Sequence, residues 1–261
     1  YSTGKDVIND IDKYSFPIII KPVDSSGSKG ATVLHGKDGL EEALAFAFSF
    51  SRSKRIIVEE FIEKKHPYLI GGDIFVQDGQ VVLWGLLNCH RDSRVNYLVP
   101  VGKSYPLELE KDDVKRVKET LQRMVDKLGI RCGAMNVELI VDKQNRVWPI
   151  DVGPRNGGNM IPDLLGMIFG VDVVEMSIKA VMGMPINVEI YENENSYYAT
   201  HNLHSSKNGV YKEIKFAPEL EKYIVKKYLY KKKGDTVEVT IDGADEAEAK
   251  TALEAFFKEN F

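Results

Sequence analysis

The sequence predicts an α+β protein whose sheets are mainly antiparallel. Apolar runs pair off across short turns. Residues 68–76 and 81–87 flank Gln77-Asp78-Gly79-Gln80, which carries the Asp-Gly hairpin signal. Residues 135–141 and 146–151 flank Asp142-Lys143-Gln144-Asn145. Helical periodicity lies between these pairs, most clearly at 112–128. No G-x-G-x-x-G with an acidic residue downstream is present, which disfavours a dinucleotide-binding fold.

Each element has a local reason. Residues 5–14 place apolar side chains at 7, 8, 11 and 14 and read as a short amphipathic helix. Pro17 opens the strand Ile18-Ile19-Ile20, which ends at Lys21, and residues 31–34 read as a second strand. Residues 38–51 are helical, with Asp38 as candidate N-cap. Residues 55–58 form a strand that runs into Glu59-Glu60-Phe61-Ile62. The long amphipathic helix 112–128 is closed by Gly129. A glycine- and asparagine-rich loop at 153–159 precedes helices at 162–168 and 171–182. Beyond Pro185 the texture changes: 197–203, 209–216 and 236–241 read as strands and 244–258 as a terminal helix. By composition, the best internal boundary is the polar, irregular stretch near 95–110.

Composition narrows the function classes. The chain has 261 residues, 43% hydrophobic and 28% charged, the balance of a soluble globular protein with a sizeable core. A formal net charge of −4 argues against nucleic acid or an anionic membrane as main partner. Cys89 and Cys132 are the only cysteines and form no C-x-x-C pattern, which suggests a reducing, cytoplasmic setting. The apolar runs fall short of a membrane span and no signal peptide is evident. The chain opens on Tyr1 rather than methionine, which reads as a fragment or an incompletely ordered chain.

The run from Phe16 to Gly30 is the most informative segment. After Lys21 comes a loop of small residues, Ser25-Ser26-Gly27-Ser28, followed by Lys29 and Gly30. Such residues let backbone N–H groups turn inward around an anion, and the two lysines add charge. This is the chemistry of a polyphosphate cradle. A strand followed by a flexible surface turn explains the same run. The Walker A pattern is absent, and strand, glycine-rich turn and strand together suggest a hairpin lid.

The second hairpin carries acids. If its turn is 142–145, Val141 pairs with Arg146 and Glu138 lies opposite Pro149. Asn136, Glu138 and Asp151 then share one face, with the two acids as diagonal neighbours. Two close carboxylates repel unless a cation sits between them, and oxygen-only donors suit Mg²⁺. A solvent-facing acidic pair is the alternative. Arg155 follows in the glycine-rich loop, where an arginine can stabilise charge on a metal-bound phosphate or join a surface ion pair.

With these parts in this order, the sequence resembles the ATP-grasp superfamily. The branch it looks most like contains carbamoyl-phosphate synthase large subunits, biotin carboxylases and ATP-dependent carboxylate–amine ligases. The resemblance spans about residues 16–185 and rests on four motifs. It implies catalytic roles for Lys21 and Arg155. Lys21 would meet the α- and β-phosphates, and Ser25, Ser26, Gly27, Ser28, Lys29 and Gly30 would form the lid loop. Glu59, Glu60, Phe61 and Ile62 would be the hinge, with the Phe61 and Ile62 backbone reading adenine. Glu138 and Asp151 would hold the metal. The implied cofactors are ATP and Mg²⁺, with Mn²⁺ as a substitute. The implied partners are a small-molecule carboxylate and an amine, with a homodimer as an open alternative.

The resemblance also implies a division: 1–62 as lid subdomain ending in the hinge, 63–185 as core with the metal site, and 186–261 as an α+β portion packed on the core. The implied reaction is activation of a carboxylate as an acyl-phosphate for attack by an amine. Bicarbonate activation, or a nucleotide-binding module inactive without a preceding domain, are the alternatives. The family usually carries Glu-x-Asn where this chain has Asp151-Val152-Gly153. Asn136 or Asn156 would then replace the missing ligand to a second metal. No acid takes the ribose position in Lys64-Lys65-His66-Pro67, and Asp73 comes later.

Other signals point elsewhere only weakly. His201 and His204 face opposite sides of a strand and lack a third metal ligand. The basic and aromatic run 226–233 reads as a solvated helix end rather than a nucleic-acid site. His90, Arg91 and Arg94 are candidates to meet the γ-phosphate or an acidic substrate. Cys89 and His90 are adjacent on a strand, so they point apart and make no catalytic dyad.

Overall fold

The computed structural model describes residues 1–25, 27–91, 98, 100–191, 197–203 and 209–237. Ser26, Arg94, His204, most of the strand expected at 236–241 and the helix expected at 244–258 lie outside them.

The chain begins with a small layer of helices on a sheet. Helix α1 (Gly4–Asp10) leads to strands β1 (Ile18–Pro22) and β2 (Thr32–Leu34), helix α2 (Leu40–Phe50) and strand β3 (Ile56–Glu60). The strands form an antiparallel sheet in the order β2-β1-β3. Alternation turns Ile18 and Ile20 toward Val7, Ile11, Ala43, Leu44 and Ala47, all buried together. Lys21 is left on the opposite face. Asp38 does not cap α2. Gly39 is the N-cap residue, in the left-handed region at φ 74°, and Leu40 N–H bonds to Lys37 C=O, so backbone geometry starts the helix.

The larger body is a six-stranded antiparallel sheet. Strands β4 (Leu69–Gln77), β5 (Gln80–Arg91), β6 (Pro100–Tyr105), β7 (Gly133–Val141), β8 (Val147–Gly153) and β9 (Tyr198–His201) run in the order β8-β7-β4-β5-β6-β9. The boundary expected near 95–110 is absent, because β6 pairs with both β5 and β9 inside this sheet. Its Pro, Gly, Lys and Ser composition hid a strand that draws its stability from two neighbours.

Helices cover both faces. Helix α3 (Lys111–Leu128) buries Val117, Leu121 and Val125 against Ile70, Ile74, Met135, Val137 and Leu139. Each such side chain contributes about 1.5–3 kcal/mol. Gly129 ends α3 at φ 66° and its N–H returns to Asp126 and Val125 carbonyls. Helices α4 (Ile161–Phe169) and α5 (Val173–Val181) pack on the other face over Phe75, Leu83 and Leu87.

Among the described residues, little regular structure follows β9. Strand β10 (Gly209–Val210) pairs with β11 (Thr236–Val237), and the short α6 (Pro218–Glu221) lies between them. The expected helix end in 226–233 is irregular chain. Lys226 and Tyr228 both bond Asp163 of α4, and Lys227 lies over the Phe216 ring.

Candidate functional site

The segment expected to cradle phosphates forms a hairpin. Ile18 pairs with Leu34 and Ile20 with Thr32, and the small-residue loop joins the two strands. Asp24 anchors the entrance by accepting from Ser53 N–H at 2.6 Å, Arg52 N–H and Ser51 Oγ. Ser25 Oγ donates to Lys29 C=O at 2.9 Å. Gly30 fixes the exit: at φ 75°, a Cβ there would stand 2.8 Å from Pro22 and Phe50 side-chain carbons. Ser25, Gly27, Ser28 and Lys29 are exposed.

Lys21 forms an ion pair with Glu59 on the adjacent strand. Phe61 N–H bonds Pro17 C=O as the chain leaves β3. Glu60 is exposed, and Phe61 and Ile62 are half-buried. The chain then docks on the larger body: Lys65 N–H bonds Val141 C=O, and Lys65 Nζ reaches Asp113 at 2.9 Å and Asn145 at 2.8 Å. The basic stretch after Ile62 is therefore an attachment. Among the described residues, no hydrogen bond or ion pair joins Lys21 or the loop to Glu138, Asp151 or Arg155.

The acidic hairpin differs from its expected register in two places. Val141 pairs with Val147 rather than Arg146, because Asp142 builds a longer turn by accepting from Gln144 N–H, Arg146 N–H, Arg146 Nε and Trp148 Nε1. A bulge then absorbs Ile150. Asn136 and Glu138 keep one face, and Glu138 sits directly across from Asp151, not diagonal to it. Glu138 Oε1 and Oε2 both accept from Arg91 Nη2 at 2.9 Å. Lys103 Nζ stands 3.8 Å from Glu138 and 2.7 Å from Cys89 Sγ. Gly71 of β4 makes room for this cluster: a Cβ there would lie 2.7 Å from Cys89 Sγ and 3.2 Å from Glu138 Cγ.

Asp73 lies deeper on the same face and is fully buried. It accepts from Gly157 N–H at 2.8 and 2.9 Å and from Asn136 Nδ2 at 2.8 Å. Burial raises its pKa, an effect these bonds and the nearby charge of Arg155 offset only in part. Asp73 pins the glycine-rich loop to the sheet. Arg155 is exposed and donates to Asn156 C=O at 3.0 Å. Asn156 Oδ1 accepts from Ser177, so both asparagines offered as replacement ligands already hold internal bonds.

His90 and Arg91 part company. His90 turns to the α3 face, 2.8 Å from Ser104 Oγ and against the Tyr68 ring. Lys103 had no signal in the sequence, since it sits in a stretch that read as irregular. Burial raises the Cys89 thiol pKa, with Lys103 opposing.

Two opposed carboxylates with oxygen donors suit Mg²⁺, whose shell phosphates and water complete. Among the described residues, no group of three or more His, Cys, Asp or Glu could hold a metal alone. No helix there is long and apolar enough to cross a membrane.

Fold and sheet order define a class: an α+β body of antiparallel sheets with a hairpin on a separate small sheet. The ATP-grasp domain model matches residues 14–163, more than half of the chain, and the chain belongs to that family. It is 28% identical over 194 residues to the formate-dependent phosphoribosylglycinamide formyltransferase of Corynebacterium efficiens, covering 72% of this chain and 46% of that protein. The chain thus spans about half the length of the curated relatives it matches. Solved structures share the fold, among them the following two. The biotin carboxylase domain of Hydrogenobacter thermophilus 2-oxoglutarate carboxylase, in complex with MgADP, ADP and bicarbonate, matches with TM-score 0.68 at 16% identity, over 92% of this chain and 54% of that one. An L-amino acid ligase from Bacillus licheniformis matches with TM-score 0.67 at 17% identity, over 95% and 64%.

Proposed function

We propose that this chain is the nucleotide-gripping part of an ATP- and Mg²⁺-dependent ligase that activates a small carboxylate as an acyl-phosphate for attack by an amine. The observation that carries this is Glu138 directly opposite Asp151, ringed by Arg91 and Lys103 and followed in the chain by Arg155. Residues 1–62 serve as lid and hinge, 63–185 as core, and 186–261 packs on the core. Lys21 and the Ser25–Lys29 loop hold phosphates. The backbone at Phe61 and Ile62, beyond Glu59 and Glu60, meets the base. Glu138 and Asp151 hold the metal, which lowers the charge that phosphoryl transfer develops. Arg155 steadies the acyl-phosphate.

The similarity to a formate-dependent formyltransferase supports a one-carbon acid, formate, as substrate. Bicarbonate is the second reading, favoured by the neighbour that holds it.

The test is ADP release by the full-length protein with panels of acids and amines. Turnover that needs both an acid and an amine, and falls at least 100-fold in Glu138→Gln, is the expected result. Turnover with bicarbonate alone selects the second reading. Tight Mg·ATP binding with no acid-dependent turnover would reduce the protein to a nucleotide-binding module.

A further inference from the structure

Two cations reach one carboxylate from neighbouring strands. Arg91 Nη2 holds both Glu138 oxygens at 2.9 Å, and Lys103 Nζ approaches one at 3.8 Å. Both side chains are mostly out of water, 18% and 11% exposed. Lys103 otherwise bonds Cys89 Sγ, and a thiol is a weak acceptor for a buried ammonium. One carboxylate thus serves two buried cations.

The Glu138 oxygens are also those a divalent metal would need, so this inference rests on the metal reading above. A guanidinium and a metal ion at the same oxygens would repel each other at close range. We propose that Arg91 occupies the metal position at Glu138 in the nucleotide-free chain. Metal entry displaces it, and Arg91 and Lys103 then form an oxyanion site. Its ligand is the carboxylate of the acid substrate or a phosphate group of the nucleotide. Arg91 has a second hold, Leu98 C=O, accepting from Nη1 at 3.5 Å, which keeps the freed guanidinium near the strand end. A metal that takes Glu138 leaves two buried cations without their carboxylate, which is costly. An oxyanion restores the balance. Metal and oxyanion therefore bind cooperatively, each strengthening the other by the same factor.

The probe is Mn²⁺ titrated into the nucleotide-free chain, with free Mn²⁺ counted by electron paramagnetic resonance, alone and with acetate or inorganic phosphate. Arg91→Met should bind Mn²⁺ at least fivefold more tightly than the parent without added anion. Arg91→Gln should do the same, and circular dichroism checks that both are folded. Acetate or phosphate should tighten Mn²⁺ binding in the parent. That gain should vanish in Arg91→Met and Lys103→Met. The anion that produces it identifies the source. Unchanged or weaker binding in both Arg91 variants, with Glu138→Gln weakened, would overturn the displacement and leave the metal reading standing. Glu138→Gln binding Mn²⁺ as the parent does would remove both. A parent indifferent to both anions would overturn the oxyanion site.

Discussion

Lys21 projects from an ordered strand, and its ammonium is held by Glu59. Lys29 rides on the exposed loop, where its carbonyl accepts from Ser25. A fixed point charge loses less entropy on meeting a phosphate than a swinging one. Lys21→Ala should weaken Mg·ATP binding by about 1.5–3 kcal/mol, and Lys29→Ala by clearly less. Calorimetry at fixed Mg²⁺ and ionic strength measures both. Equal losses, or none at Lys21, would move the phosphate cradle elsewhere. Asp142 is a different kind of residue, one that builds geometry. Burial pushes its pKa up, but donors from Trp148, Arg146 and Gln144 win and hold it at about 2. Its folded pKa lies below the unfolded value, so it stabilises the fold above about pH 4, and that contribution is lost as pH falls through about 2. Asp142→Asn should cost on the order of 2 kcal/mol near neutral pH, by denaturant unfolding, and progressively less from pH 4 downward. A pH-independent cost would deny the ionised carboxylate its part in the turn.

At the scale of elements, α3 shows what periodicity makes legible. Val117, Leu121 and Val125 recur at helical spacing and are all fully buried against β4 and β7. Leu121→Ala should destabilise the protein by about 2–5 kcal/mol in thermal or urea unfolding while Mg·ATP affinity stays within twofold. A large loss of affinity at full stability would mean α3 shapes the site. Hairpins with strong turn signals were equally legible, and Gln77 pairs with Gln80 across Asp78-Gly79 as expected. Strand β6 was not, because Pro100, Gly102, Lys103 and Ser104 outnumber Val101 and Tyr105 in it, and its partners β5 and β9 are set by tertiary pairing. The acid pair was legible as residues and as a shared face. Its register was not, since the longer Asp142 turn and the Ile150 bulge depend on side-chain bonds that no alternation pattern encodes. Lys103 was hidden with the strand that carries it.

Across the whole molecule, apolar side chains gather in separate clusters. One lies between Val7 and Val58, within the smaller layer. The others occupy the two faces of the six-stranded sheet and run from Ile70 to Ile186. Just past the small sheet, the connecting segment is tied to the larger body mostly by polar, peripheral contacts among the described residues. Lys143 pairs with Glu63 at 2.5 Å, Lys64 bridges Asp142, and Lys65 meets Asp113. The exposed Lys143–Glu63 pair contributes little, since water and salt screen it. The smaller layer has fewer buried side chains to offset its chain entropy, so it should open at a lower free energy than the large sheet. Native-state hydrogen exchange in rising denaturant should therefore give two groups of amides. Ile18, Ile20 and Ala43 should exchange through an opening well below the global unfolding free energy. Ile74, Leu83 and Val137 should exchange only through global unfolding. A ligand gripped by both parts binds only when both are folded, so saturating Mg·ATP should raise the first group toward the second. At 100 times its dissociation constant the shift would be about 2.7 kcal/mol. One shared opening energy without nucleotide would make lid and sheet a single cooperative unit. Protection of the lid amides unchanged by Mg·ATP would mean the lid takes no part in holding it.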